Sequence, residues 1–248
     1  MKKTIAFSFI FLLLGLAASA QKMRLAVAAN AQYVAQQLAD EFKKQTGIST
    51  ELIVSSSGKL FAQIEQGAPF DVFMSADMKY PLELEAKKLL LEKPKIYAYG
   101  QLVLWVPDGK ASPAALKDLL LSDYTKIAVA NPQLAPYGQA TVEALKKQQL
   151  LTALQSKIVY GESIAQVNQY LLTGAVQAAF TAKAIVLSPE QKGKGRWIDV
   201  DDSLYSPIAQ GAVLLKSSRV NNYEDGRKFY AFLFSPSAKK ILAAYGYK

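Results

Sequence analysis

Serines 55, 56 and 57, followed by Gly58, stand between a β-branched run and an amphipathic one, and that arrangement can bind an anion. The segment reads Ile53-Val54 as a strand end, Ser55-Ser56-Ser57-Gly58 as a turn, and Lys59-Leu60-Phe61-Ala62-Gln63-Ile64 as the first turns of a helix. The first N–H groups of a helix have no partner within it, and the helix dipole favours negative charge there. Serine is also an ordinary helix cap, so one such junction decides little. The chain makes the junction four times: at Ala28-Ala29-Asn30-Ala31, at Ser55-Ser56-Ser57-Gly58, across residues 131–138, and at Tyr160-Gly161-Glu162-Ser163-Ile164. These turns offer neutral donors; Lys59 is the nearest cation and Glu162 the exception among them. Backbone N–H and hydroxyl groups of this kind suit a small, fully ionised oxyanion that must be held and then released.

Such junctions need strands to end and helices to begin beside one another. Residues 23–29 form a short apolar run. After Asn30, Val34, Leu38 and Phe42 recur at helical spacing until Gly47. Residues 50–54 and 71–75 read as further strands, and residues 80–91 as a helix. Two long β-rich runs, 95–107 and 209–216, bracket a restarted alternation. It comprises helix 114–121, strand 126–130, helix 141–148, strand 158–160, helix 163–172 and strand 178–180; residues 222–245 are helical again. This alternation predicts an α/β fold with two doubly wound, mostly parallel sheets. Lobe I is expected to hold residues 21–100 and 208–248, lobe II residues 101–207, with two crossing segments between them. In open α/β sheets ligands bind beyond the carboxyl ends of strands, which puts two of the junctions in each lobe at one cleft.

Several chemistries drop out. The chain has no histidine and no cysteine, which removes histidine acid–base catalysis, Ser-His and Cys-His nucleophiles, and the usual zinc and copper sites. Ser57-Gly58-Lys59 echoes the end of a P-loop, but Ile53 and Leu60 stand where glycine and Ser/Thr are required. Asp71 and Asp77 flank one strand without other acids converging on them, and read as capping or core-edge residues. Asp199, Asp201 and Asp202 lack the glycine and distal glutamate of a calcium loop. The opening Met1-Lys2-Lys3, an apolar stretch and Ala18-Ser19-Ala20 describe a cleavable signal peptide over residues 1–20. Without cysteine the cleavage site is not of the lipoprotein type. Loss of Lys2 and Lys3 lowers the formal charge from +9 to +7. The remaining lysines are scattered in pairs, with no aromatic-interleaved basic stripe of the kind that binds nucleic acid.

With these motifs in place, the chain resembles the periplasmic molybdate-binding family of ABC importers, the ModA family, over nearly all of its mature length. The resemblance rests on Ala28-Ala29-Asn30 and Ser56-Ser57-Gly58, on Gly67-Ala68-Pro69-Phe70-Asp71-Val72-Phe73-Met74-Ser75-Ala76-Asp77, and on Asn131-Pro132-Gln133-Leu134-Ala135-Pro136-Tyr137-Gly138. It implies the two-lobed class II periplasmic binding protein fold, no catalysis and no cofactor. It also implies molybdate, and with it tungstate, held as an oxyanion without direct bonds from protein to metal. The contacts it carries over are Asn30, where many relatives have serine, and Ser57 from lobe I, with Tyr137 and the backbone N–H of Ile164 from lobe II. Ala29, Ser56, Gly138 and Thr181 come with them as further candidates. Thr181 stands where some relatives use a tyrosine hydroxyl; its own is shorter, and Tyr137 would take over that role. Among the three serines Ser57 is expected to meet the ligand, with Ser56 and Gly58 shaping the turn.

The resulting expectation is a monomeric periplasmic solute-binding protein that closes about hinges near Gly100–Gln101 and Pro207–Ile208 and delivers its anion to a membrane permease. The alternatives are the same fold with sulfate, thiosulfate or a small carboxylate, and an enzyme acting on a phosphate ester. No arginine at the four junctions favours a carboxylate, and no acidic cluster favours the enzyme.

Overall fold

The computed structural model describes residues 22–109, 113–218 and 222–248. The proposed signal peptide lies outside the described residues. Ten strands form two five-stranded sheets. The first contains β1 (Met23–Ala28), β2 (Thr50–Ser55), β3 (Val72–Met74), β4 (Lys95–Gly100) and β10 (Ile208–Leu214), in the order β2-β1-β3-β10-β4. The second contains β5 (Leu102–Val106), β6 (Ile127–Ala130), β7 (Ile158–Gly161), β8 (Ala178–Ala182) and β9 (Arg196–Asp199), in the order β7-β6-β8-β5-β9. In each sheet three neighbouring strands run parallel and one strand is reversed: β10 in the first, β5 in the second. The reversed strands are the two that enter a sheet directly from the other lobe. This is the two-lobed α/β fold of the periplasmic binding proteins, with mixed sheets.

Helices cover both faces of the first sheet because its strands are apolar on both sides. Met23, Leu25 and Val27 face α1 (Gln32–Thr46), α8 (Tyr223–Phe232) and α9 (Pro236–Ala244), while Ala26, Phe73 and Val213 face α2 (Ser57–Glu65) and α3 (Lys79–Ala86). Alternate side chains of a strand point to opposite faces, so a strand buried on both reads as a continuous apolar run. Val34, Leu38 and Phe42 form the inward stripe of α1, which Gly47 ends in the left-handed conformation at φ 76°. Phe42 meets Phe229 edge-to-face with ring centroids 5.1 Å apart. The second sheet has its own core, centred on Trp105, Phe180, Val129 and Leu145. Around it lie α4 (Pro136–Lys147), α5 (Leu151–Leu154), α6 (Ile164–Leu172) and α7 (Lys183–Val186).

Some boundaries differ from the sequence reading. The helix expected over 80–91 stops at Ala86, because Lys88 turns with φ 58° and Leu90 bridges to Leu215 instead. Residues 114–121 give only a short 3-10 turn, Leu116–Leu120, whose start is held by Asp118 accepting the Ala114 and Ala115 N–H groups. The helix expected from residue 141 begins at Pro136; proline is welcome at a first helical position, whose N–H has no partner anyway. This shift brings Tyr137 and Gly138 into the first turn of α4. Residues 222–245 split into α8 and α9, with Ser235 capping the second by accepting from the Ala238 N–H at 3.2 Å. Asp71 accepts the Arg24 N–H at 2.7 Å and the Asn222 amide at 3.2 Å, pinning β1 to the region before α8. Burial raises its pKa and these bonds oppose the rise.

Phe42 is buried against the aromatic rings of Phe229 and Phe232 on α8. Phe42→Ala is expected to lower unfolding stability by about 4 kcal/mol, the usual range for emptying a large aromatic site. Denaturant unfolding checks this, and a loss under about 1 kcal/mol would mean that α1 is not anchored through this cluster.

Candidate functional site

One cavity lies between the lobes, at the carboxyl ends of the parallel strands. Its walls are Ala28, Ala29, Asn30, Ser56, Ser57 and Ala76 on one side, and Ala135, Pro136, Tyr137 and Ile164 on the other. All four sequence junctions reach it. Ala76, just after β3, adds a fifth connection that carried no polar signal in the sequence. The cavity is small, with about 10 Å³ of free volume, against the roughly 300–1,000 Å³ of sites for drug-sized ligands. No side chain lining it carries a charge.

Each wall offers donors. Ser56 precedes α2 with an extended backbone (φ −69°, ψ 151°), and its hydroxyl makes no capping bond to that helix. Ser56 Oγ is buried and meets no hydrogen-bond partner among the described residues, an arrangement that costs free energy unless something else accepts its proton. Ser57 Oγ accepts the Ala76 N–H at 3.0 Å and keeps its own proton to give. Ser163 caps α6 by accepting from the Gln166 N–H at 3.3 Å. Ile164, at the first helical position where the N–H has no partner within the helix, lines the cavity. The Asn30 amide is already engaged, with Nδ2 donating to Gln210 Oε1 at 2.9 Å and to the Tyr247 hydroxyl at 3.3 Å. Asn30 lines the cavity from the 3-10 turn Ala29–Ala31 that leads into α1.

Tyr137 closes the cavity from the second lobe and is 1% exposed. Burial holds its phenol well above its ordinary pKa, so it is a neutral O–H. Its oxygen accepts from Gln210 Nε2 at 3.1 Å, and the ring oxygen passes over Gly100 at the end of β4. A Cβ at Gly100 would stand 2.0 Å from that oxygen and 2.5 Å from Gln210 Nε2, so the approach requires glycine. Gly138 does not line the cavity; it lies against the Ala130 carbonyl, where a Cβ would come within 2.0 Å, and so sets α4 close on β6. Thr181 also lies outside. Its hydroxyl donates to Asn168 Oδ1 at 2.7 Å within the second lobe. Asn30, Ser57, Tyr137, Ile164, Ala29 and Ser56 are brought together; Gly138 and Thr181 are not.

The lobes touch across the cleft. The Gly58 N–H donates to the Leu134 carbonyl at 3.0 Å, and the Tyr80 hydroxyl to the Gln133 carbonyl at 3.2 Å. Lys59 pairs with Glu162, so the two charged residues of the junctions neutralise each other outside the cavity. Gln191 Nε2 donates to the Tyr33 hydroxyl at 2.6 Å on the other side. Tyr97, on β4, donates to Gln210 Oε1 at 2.7 Å. Among the described residues no group of histidine, cysteine, aspartate and glutamate could hold a metal ion.

Residues 23–248 fit the family described as bacterial extracellular solute-binding protein. The molybdate-binding protein ModA of Rhodobacter capsulatus is 37% identical over 94% of this chain and 91% of its own length. That of Azotobacter vinelandii is 35% identical over 95% and 93%. The chain belongs to the ModA family of bacterial extracellular solute-binding proteins. Within the family, the solved Azotobacter vinelandii periplasmic molybdate-binding protein superposes with a TM-score of 0.84 at 34% identity, over 92% of this chain and 99% of that one. Members of such a family bind and carry a solute without transforming it. A sulfate-binding protein of Mycobacterium tuberculosis shares the fold at TM-score 0.75 with 13% identity.

The contact of Tyr137 over Gly100 gives a test of the closed geometry. Gly100→Ala is expected to push Tyr137 and Gln210 apart and hold the lobes ajar. Small-angle X-ray scattering should show a larger radius of gyration than wild type in the same buffer, and stability should fall by about 1–3 kcal/mol. An unchanged radius with unchanged stability would mean that the ring does not pass over Gly100 in solution.

Proposed function

We propose that this chain captures molybdate in the periplasm between its two lobes and delivers it to the permease of an ABC transporter, with tungstate as an equivalent ligand. The observation that carries the reading is the uncharged, donor-lined cavity at which four helix starts converge. Each helix N-terminus acts as roughly half a positive charge. Four of them approach the charge of a dianion without any fixed counter-ion. Ser56 and Ser57 supply hydroxyl protons from lobe I (residues 21–100 and 208–248), and Ala29 and Asn30 supply backbone N–H groups. Tyr137 and Ile164 supply donors from lobe II (residues 101–207). Thr181 and Gly138 act behind this shell, on packing. Closure about Gly100–Gln101 and Pro207–Ile208 completes the shell and excludes water, which strengthens each charge-assisted bond.

Selection against sulfate, which offers the same charge and four oxygens, falls to cavity size. Export by a cleavable leader over residues 1–20, release as a free monomer without a lipid-bearing cysteine, and docking on a permease complete the proposal. A Bacillus subtilis relative, 28% identical, is described as a putative ABC transporter substrate-binding lipoprotein; the present sequence has no cysteine to carry such an anchor.

Calorimetric titration of the purified protein with molybdate, tungstate and sulfate tests the reading. Molybdate and tungstate should bind far more tightly than sulfate, and sulfate binding as tight as molybdate would sink the assignment. Ser56→Ala and Ser57→Ala should each weaken molybdate by about 1–3 kcal/mol, the worth of a hydrogen bond to a charged acceptor. A serine whose loss leaves affinity unchanged is only part of the turn.

A further inference from the structure

We propose that Tyr80 is an interlobe latch, a positioning residue outside the cavity whose hydrogen bond to the opposite lobe sets how fast the bound anion leaves. The proposal rests on the oxyanion reading above and on its closure of the lobes. Tyr80 stands in the first turn of α3, in lobe I, and does not line the cavity. Its ring is buried and packs on Phe61 of α2, with ring centroids 5.2 Å apart. Its hydroxyl crosses to the Gln133 carbonyl of lobe II at 3.2 Å. A carbonyl can only accept, so the phenol is the donor. Burial, with the Asp77 and Glu83 carboxylates nearby, raises the phenol's pKa and keeps that proton in place.

A second bond lies against the first. The Gly58 N–H, in the first turn of α2 where a helix supplies no partner, donates to the Leu134 carbonyl at 3.0 Å. A Cβ on Gly58 would stand 2.7 Å from the Tyr80 oxygen and 3.1 Å from the Leu134 oxygen, so a side chain there would force the contact apart. Consecutive residues thus divide the work on each side of the cleft. Ser57 lines the cavity while Gly58 binds the other lobe; Gln133 and Leu134 accept these bonds while Ala135, Pro136 and Tyr137 line the cavity. Donors and acceptors belong to different lobes, so the bonds exist only while the lobes are together. An anion entering an open cleft meets neither of them, whereas one that leaves must wait until they break. They therefore act on release, the step through which most changes in affinity are expressed. The Lys59–Glu162 pair also spans the cleft, but both side chains are exposed and water screens them.

Tyr80→Phe keeps the ring against Phe61 and removes the bond. Stopped-flow kinetics use whichever of molybdate, tungstate and sulfate binds the wild-type protein most tightly. Dissociation should quicken about fivefold, the effect of losing one neutral hydrogen bond, while the association rate stays within about twofold. Amide hydrogen exchange by NMR gives a readout that loss of packing would not produce. In Tyr80→Phe the Gly58 N–H should lose protection about fivefold. The Leu60 N–H, bonded at 3.0 Å to the Ser56 carbonyl within the same helix start, should keep its own. Exchange is followed with the anion bound and, should none of the three bind, in plain buffer. Binding of none would refute the oxyanion reading, and exchange at Gly58 would still decide the latch. Unchanged dissociation, or an association rate that falls as much as dissociation rises, overturns the proposal. So does Gly58 protection that holds, or that falls only together with that of Leu60; Tyr80 is then packing for α2.

Discussion

A doubly charged anion held in a dry cavity without a counter-ion is the constraint on which this structure turns. Moving a charge out of water is costly unless every lone pair finds a donor. In the proposed site that demand falls to groups that carry no formal charge: helix N-termini and two serine hydroxyls. Such groups must be aimed from several directions at once, which no single helix can do. The convergence of separate strand ends therefore comes first, and the two sheets, their parallel strands and the short connections follow from it. Lys59 and Glu162, the charged residues of the junctions, face each other across the cleft and do not line the cavity.

The crossing strands tie the site to the motion. β4 ends at Gly100, directly opposite Ile208 at the start of β10, so both passages between the lobes run side by side. Gly100 admits the Tyr137 ring, and Gln210 reaches from the same pair of strands to its oxygen. The proposed hinge and the second lobe's phenol are therefore in contact. If the lobes move about it, the hydrogen bonds of Tyr137 and Gln210 are disturbed.

The sequence revealed what is local. Strand, turn and helix starts at residues 28–31, 53–64, 131–138 and 160–164 are written in consecutive residues, and they meet as expected. What escaped is assembled over distance or carries no polar mark. Ala76 lines the cavity as an alanine. The Asn30–Gln210 and Asn30–Tyr247 bonds span 180 and 217 positions, and nothing in a glutamine within an apolar run announces such partners. Ser56 and Ser57 are adjacent and alike in type. Only the bond from Ala76 to Ser57 and the orphaned hydroxyl of Ser56 tell their situations apart. β9 went unread because its four residues, Arg196–Asp199, are partly exposed and lie beside a glycine-rich loop.

The pairing of Gly100 with Ile208 also bears on how the chain comes to be folded. The first sheet cannot be finished until β10 arrives, and β10 follows the whole of the second sheet in the chain. Closing so long an unstructured loop costs entropy and slows folding. If residues 101–207 fold first, their two ends already lie within one strand spacing, and the loop is reduced to a short bridge. The second lobe then acts as a template for completing the first. A mutation confined to the second lobe's core would delay the assembly of a sheet to which it contributes no strand.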